Sequence, residues 1–244
     1  MRTVVLIPAR FASSRYPGKP LVKLLGKPMI LWVAELSAKA VGAENVYVAT
    51  DDTRISQVIE SAGFNAVLTG QTKTGTDRIA EAAAQIDADI FINVQGDEPL
   101  VDPADILRIR DVKMEHETKV VNGYAWLNDS ENPTSVNIPK VVTNEQNELV
   151  YMSRLPVPGF KDKNDAPVRY KKQVCIYAFS KEQLAKYREF GRKSELESYE
   201  DIEILRFFEL KIPVLMVKTK PGSLAVDVPE DVAKVESALR LTLS

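Results

Sequence analysis

The chain has 244 residues, 45% of them hydrophobic, with 32 Lys plus Arg against 34 Asp plus Glu, one Cys and one His. A chain this long can bury roughly three quarters of its unfolded surface, so its core needs no disulfide or metal staple, and a net charge of −2 excludes a global basic field for nucleic acid. Cys175 has no internal disulfide partner, and any two-His metal site, Ser-His-Asp triad or Cys-His pair would have to use His116, which sits in the charged run Lys113 to Glu117, read as the exposed end of a helix.

In chain order, Thr3 to Ile7 reads as a buried strand, residues 28 to 41 as a helix, Val46 to Ala49 as a strand and residues 52 to 62 as a helix. A short strand at Ala66 to Leu68, a helix over about 76 to 87 and the strand Asp89 to Val94 complete a βαβ series. Near-continuous apolar strands alternating with helices predict an α/β fold with a mostly parallel sheet covered on both faces, whose ligands bind beyond the strands' carboxyl ends. From residue 118 the pattern becomes mixed, with strands at 118 to 126, 138 to 143, 149 to 152 and 171 to 179. Pro156, Pro158 and Pro167 mark an extended arm between 154 and 169. Helices near 181 to 190 and 199 to 210, strands near 213 to 218 and 224 to 226, and a last helix over about 229 to 240 follow. The apolar run from Thr3 to Ala9 reaches Pro8 and Arg10 too soon for a signal-peptide core or a membrane span, so the expectation is a cytoplasmic protein without membrane insertion.

Charge is uneven. At the average acidic frequency of 34 in 244, the first 34 residues should hold about five carboxylates, yet the first is Glu35, while Arg2, Arg10, Arg15, Lys19, Lys23 and Lys27 all fall before it. Half of these, Arg10, Arg15 and Lys19, lie in Pro8 to Leu21, directly after the first strand, where a doubly wound sheet places its ligand. A long basic loop with Ser and Gly suits a polyphosphate, through fork-shaped Arg donors, a compact Lys charge and backbone N–H groups, although an ordinary solvated loop has the same composition. No G-x-G-x-x-G follows this strand and no G-x-x-x-x-G-K-[ST] occurs, which argues against a Rossmann dehydrogenase and a P-loop kinase or ATPase.

Ile7-Pro8-Ala9-Arg10 followed by Ser14-Arg15-Tyr16-Pro17-Gly18-Lys19-Pro20-Leu21 resembles the signature loop of sugar nucleotidyltransferases, in the form most similar to the 3-deoxy-manno-octulosonate cytidylyltransferases, or CMP-Kdo synthetases. CMP-sialate synthetases share much of this loop. Gly75-Thr76-Asp77-Arg78, Asn93-Val94-Gln95-Gly96-Asp97-Glu98-Pro99-Leu100 and Val226-Asp227-Val228-Pro229-Glu230-Asp231 resemble the same family, as do Tyr151-Met152-Ser153-Arg154 and the segment from Leu196 to Arg206. The motifs run in the family's order from Val5 to about Val235. One segment departs: the family usually reads Lys-His-(apolar)-Gly-Ile-Tyr where this chain has Lys172-Gln173-Val174-Cys175-Ile176-Tyr177.

The residues by themselves leave alternatives. Asp97 suits Mg²⁺ or a tight turn, and Asp227 either ligates a metal or caps the last helix with Glu230. Arg78 can equally be a solvated or ion-paired helix residue, and Glu197, Glu200 and Glu203 would form a solvated acidic stripe if their segment is one helix. Cys175 reads as a small buried residue. The resemblance implies a doubly wound, mostly parallel mixed sheet of the nucleotide-diphospho-sugar transferase type with a smaller mixed subdomain, in one domain over 1–244: a nucleotide-binding part to about 117, a sugar-binding and dimerisation part over about 118–225, and a C-terminal helix returning to the first.

The resemblance also implies CTP and a 3-deoxy-ulosonic acid as substrates, a CMP-sugar for lipopolysaccharide or capsule synthesis as product, Mg²⁺ as cofactor and a homodimer. Lys19, Asp97 and Asp227 are then catalytic, with Mg²⁺ on the two Asp residues; Pro8, Ala9, Arg10, Ser14, Arg15, Lys19, Thr76, Arg78 and Asp97 meet the nucleotide; Gln95, Arg154, Gln173, Glu197 and Glu200 meet the sugar. Arg154 would grip the sugar's carboxylate with paired hydrogen bonds, and Gln173, in place of the usual His, cannot carry a charge. Two rival readings remain: another acid, such as an 8-amino-octulosonate or a nine-carbon ulosonate, and a non-catalytic nucleotide-binding regulator on the same fold.

Overall fold

In β1 (Thr3–Ala9), Val4 and Leu6 face one way and Val5 and Ile7 the other, and all four are fully buried, so this strand needs cover on both sides. A computed structural model, which describes residues 1–12, 16–167, 169–220 and 224–243, supplies that cover with helices. After β1 come a small hairpin, β2 (Lys23–Leu24) and β3 (Lys27–Pro28), and α1 (Met29–Val41). Then β4 (Val46–Thr50), α2 (Thr53–Ser61), β5 (Asn65–Leu68), α3 (Gly75–Ala83), β6 (Ile90–Val94) and α4 (Pro103–Glu115) alternate. The second half holds β7 (Val120–Trp126), β8 (Lys140–Thr143), β9 (Leu149–Ser153), β10 (Lys171–Ser180), α5 (Lys181–Glu189), α6 (Glu195–Glu200), α7 (Arg206–Glu209), β11 (Val214–Lys218) and α8 (Asp231–Leu243).

Among the described residues the main sheet has nine strands, seven of them in the order β11, β7, β10, β6, β1, β4, β5, with β8 and β9 extending from β10. β5, β4, β1 and β6 are parallel, β10 is antiparallel to both β6 and β7, and β11 runs parallel to β7. The fold is thus the mixed, mostly parallel α/β sheet that the alternating pattern implies. From β1 the chain moves outward to β4 and β5, then returns to β6 on the other side of β1. That reversal opens a crevice between the carboxyl ends of β1 and β6, the usual place for a ligand in such sheets.

Two cores result. Val4, Leu6, Phe91, Phe179, Tyr187 and Phe207 pack on the face covered by α3 and α5, and Val5, Ile7, Ile92, Val33, Ile55 and Ile106 on the face covered by α1, α2 and α4. A third cluster joins Val235 and Leu239 of α8 to Leu24 and Met29, so the last helix docks against the N-terminal hairpin.

Four expectations need correction. The helix over 199 to 210 is two short helices, because Asp201 adopts a left-handed φ of 50° and ends α6, and a 3-10 turn at Glu203–Leu205 precedes α7. Residues 224 to 226 add no strand; Val226 instead donates its N–H to the Asp97 carbonyl (3.1 Å). The helix expected to reach residue 87 ends at Ala83. Lys113 is buried rather than at an exposed helix end, its ammonium bonding Glu117 O (2.6 Å), Lys119 O (2.7 Å) and Gln183 Oε1 (3.0 Å). Those carbonyls satisfy all three donors where the helix ends, and desolvation lowers the Lys113 pKa to about 8.

Candidate active site

The crevice between β1 and β6 is closed tightly at one point. A Cβ on Gly96 would stand 2.8 Å from the Pro8 carbonyl oxygen and 3.1 Å from Ile30 Cδ1, so only glycine lets the chain leaving β6 lie against the end of β1. The next residue, Asp97, therefore emerges at the carboxyl edge beside the basic loop. Its carboxylate meets Lys19 Nζ at 2.6 Å, and Asp227 meets the same nitrogen at 3.4 Å.

Each member of this trio is positioned locally. Lys19 begins a short 3-10 turn, Lys19–Leu21, after Gly18, which has a left-handed φ of 72°. Asp227 follows Val226, whose backbone bond to Asp97 joins the two segments directly. Asp231, the first residue of α8, accepts from Asp227 N (2.8 Å) and Val228 N (3.0 Å) and so folds the segment before the helix into a turn. Helix capping and metal ligation would compete for the Asp227 carboxylate, and here it turns to Lys19.

Around the trio lies a cleft of about 270 Å³ whose wall includes Pro8, Ala9, Arg10, Lys19, Arg78, Gln95, Asp97 and Asp227. Ser14 and Arg15 lie outside the described residues. Arg78 is buried, and its guanidinium is engaged by Asp51 (3.0 Å), the Thr69 hydroxyl and the Gly70 carbonyl (3.4 Å), so it braces the β4 and β5 ends of the cleft. Thr76 is also buried and off the wall; its N–H donates to Glu203 Oε2 (2.7 Å).

Four residues expected at the sugar site are engaged by other protein groups. The Glu197 carboxylate is fully buried and forks onto Arg206, at 2.7 Å to Nε and 2.7 Å to Nη2, while also closing a capping box with Ser194. Arg206 in turn reaches Asp77 (2.6 Å) and lies over the Tyr187 ring at 3.8 Å. Arg154 spends its guanidinium on three carbonyls, those of Glu200, Val136 (2.7 Å) and Asp201 (2.9 Å). Glu200 accepts from Arg154 N (2.8 Å) and Tyr151 OH (3.1 Å), tying β9 to α6. Gln173 is off the cleft wall, its amide donating to Asn122 Oδ1 (3.2 Å) and Tyr177 OH (3.2 Å) beside a β-bulge between Val174 and Tyr177. Cys175, at that bulge, has its thiol held well above its ordinary range by desolvation.

The cleft wall also carries Lys73, Thr74 and Lys193, to which no sequence motif pointed, and Asp201 and Glu203 from the Leu196 to Arg206 segment. Glu203 accepts from Gly75 N (3.0 Å) and Thr76 N (2.7 Å), capping α3 from outside its own segment. Desolvation raises its carboxyl above the usual Glu range against the pull of those donors. Thr74 carries a legible signal, a Thr three residues before Asp77 at a helix start, and its hydroxyl accepts from Asp77 N (3.1 Å). Lys193, paired with Asp201 at 2.7 Å, comes from a distant loop and carries none.

The switch-point cleft, a lysine shared by two carboxylates and the basic loop leading into it define an α/β protein that handles a nucleotide's phosphates. The chain belongs to the cytidylyltransferase family: the family model described as Cytidylyltransferase matches residues 4–214. It is 38% identical over 250 residues, covering 98% of both chains, to the 3-deoxy-manno-octulosonate cytidylyltransferase of Geobacter metallireducens. It is 37% identical to the 8-amino-3,8-dideoxy-manno-octulosonate cytidylyltransferase of Shewanella pealeana, covering 98% of this chain and 99% of that one. A solved structure of CMP:2-keto-3-deoxy-manno-octonic acid synthetase complexed with CTP superposes with a TM-score of 0.91 at 33% identity, covering 99% of this chain and all of that one.

Proposed function

We propose that the chain activates 3-deoxy-manno-octulosonate with CTP, giving the CMP-sugar and pyrophosphate. The observation that carries this reading is the Lys19 ammonium drawn between Asp97 and Asp227 at the floor of the cleft. The sugar's anomeric hydroxyl attacks the α-phosphorus of CTP in line, the new P–O bond forms as the bond to the β-phosphate oxygen breaks, and pyrophosphate leaves with the electron pair. Such chemistry needs positioning and charge neutralisation more than a proton-shuttling side chain, which suits a protein with one exposed His.

Pro8, Ala9 and Arg10 present backbone and charge to the nucleotide, Lys19 offsets charge on the triphosphate and leaving pyrophosphate, and Gln95 faces the sugar. The two carboxylates already hold a cation in the form of Lys19, so the donor set fits Mg²⁺, with Asp97 and Asp227 as its protein ligands. Among the described residues no third acidic, His or Cys side chain joins them, so substrate oxygens and water would complete the shell. When bound, Mg²⁺ supplies Lewis acidity and charge neutralisation at the phosphates. The reaction belongs in the cytoplasm, where CTP is available. The exposed Val136, Val150, Leu155 and Phe160 on and beside the Pro-containing arm support a homodimer formed through the second half.

A second acid substrate, the 8-amino analogue, is favoured by the similar identity to relatives named for either acid. Pyrophosphate release from CTP with a panel of ulosonic acids tests both readings. Release with 3-deoxy-manno-octulosonate at the highest kcat/KM supports the first, higher kcat/KM with the amino analogue replaces it by the second, and no release with any acid leaves a nucleotide-binding regulator.

A further inference from the structure

We propose that Arg54 and Phe11 are positioning residues that hold Lys19 at the phosphate end of the cleft, an inference that rests on the CTP reading of that cleft. The contacts form a continuous chain from the surface to the ammonium. Asp52 caps α2 by accepting from Arg54 N (2.9 Å), and the same carboxylate grips the Arg54 guanidinium at Nε (2.9 Å) and Nη2 (2.5 Å). This two-point grip fixes the plane of a side chain that is 59% exposed and would otherwise sample many rotamers. The plane lies over the Phe11 ring, 3.4 Å from its centroid, in the geometry of a cation–π contact.

Phe11 then acts on Gly18 in two ways. Its carbonyl accepts the Gly18 N–H (2.9 Å), and its ring lies so close that a Cβ on Gly18 would come within 3.2 Å of Cζ. Gly18 sits in the left-handed region, and the next residue is Lys19, whose ammonium reaches Asp97 and Asp227. The basic loop therefore closes on itself at Phe11 and Gly18, with Arg54 pressing on the ring. A misplacement of about 1 Å in a positioned group can cost up to a hundredfold in rate, so a brace three contacts away has leverage on the reaction.

The test is a double-mutant cycle between Arg54→Ala and Lys19→Met, read as kcat and KM for CTP and for the sugar acid. Arg54→Ala is expected to lower kcat/KM for CTP roughly threefold to tenfold with KM for the sugar acid unchanged, as a cation–π contact of this kind allows. In the Lys19→Met background the same change is expected to do nothing further, within about twofold, because its action runs through Lys19. Phe11→Tyr, which keeps the ring, should retain activity, and Phe11→Ala should lose at least as much as Arg54→Ala. Should Arg54→Ala melt lower than the parent, Arg54→Met, which keeps the stem without the charge, gives the same comparison. An equal loss in both backgrounds, or no loss in the Lys19 background of the parent, overturns the inference alone. Normal turnover by Lys19→Met overturns the role of Lys19 and the inference with it.

Discussion

Glu197→Gln separates a structural role from a sugar-binding one. In the folded protein Glu197 and Arg206 are both fully buried and share two hydrogen bonds of 2.7 Å, so no solvent is present to take over when one partner changes. Glutamine keeps one oxygen, enough for the capping box with Ser194, but turns an NH₂ toward a guanidinium that can only donate. Arg206 is left with Asp77 alone as its carboxylate partner. Breaking a buried ion pair from one side costs about 3–5 kcal/mol, moderated here by the remaining Asp77 contact to about 3 kcal/mol. For a chain of this length that lowers the melting midpoint by about 6–12 °C. The assay is calorimetry or denaturant unfolding of both proteins, with KM for the sugar acid measured well below both transitions. A midpoint within about 2 °C of the parent, together with a tenfold or larger rise in that KM, would refute the structural assignment and restore Glu197 to the sugar site.

Asp97→Asn and Asp227→Asn should each lower turnover at least about a hundredfold if a bound cation supplies several kcal/mol to the transition state; turnover within threefold of the parent at saturating Mg²⁺ would remove that role. Gly96→Ala should unfold or inactivate the protein, because the new methyl meets the Pro8 carbonyl at 2.8 Å; a well-folded, fully active variant by circular dichroism and rate would show that the β1–β6 crevice can widen freely. Lys113 titrates near 8 in the folded chain and near 10.5 when unfolded, so between those values the unfolded state binds more protons and stability rises with pH. The parent should therefore gain up to about 3 kcal/mol relative to Lys113→Met between pH 8 and 10.5, and a flat difference in unfolding free energy across that range would contradict it.

The parallel part of the fold was legible because its strands are apolar on both faces. Thr3 to Ile7 and Ile90 to Val94 admit little else, and the absence of carboxylates before Glu35 pointed to the loop that the structure places over the switch point. Proximity among Lys19, Asp97 and Asp227 could be expected from motif order, but its cause could not: it depends on a backbone bond from Val226 to Asp97 and on Asp231 holding the N–H groups of Asp227 and Val228. The acidic residues of 197 to 203 illustrate the limit. Their spacing suggests one face of one helix, yet a left-handed Asp201 divides the segment and each carboxylate finds a different partner: Arg206, the backbone of Arg154, and the start of α3. Charge periodicity describes where side chains point only if the backbone stays regular, and it says nothing about which distant residue will satisfy them.

The bond from Val226 to Asp97 also makes the site depend on two stretches of chain that lie far apart in the sequence. Lys19 and Asp97 both belong to the first hundred residues, whereas Asp227 and the helix that docks against Leu24 and Met29 come more than a hundred residues later. A chain cut before Val226 would lack both Asp227 and the segment bonded to Asp97, leaving Lys19 one carboxylate of the pair.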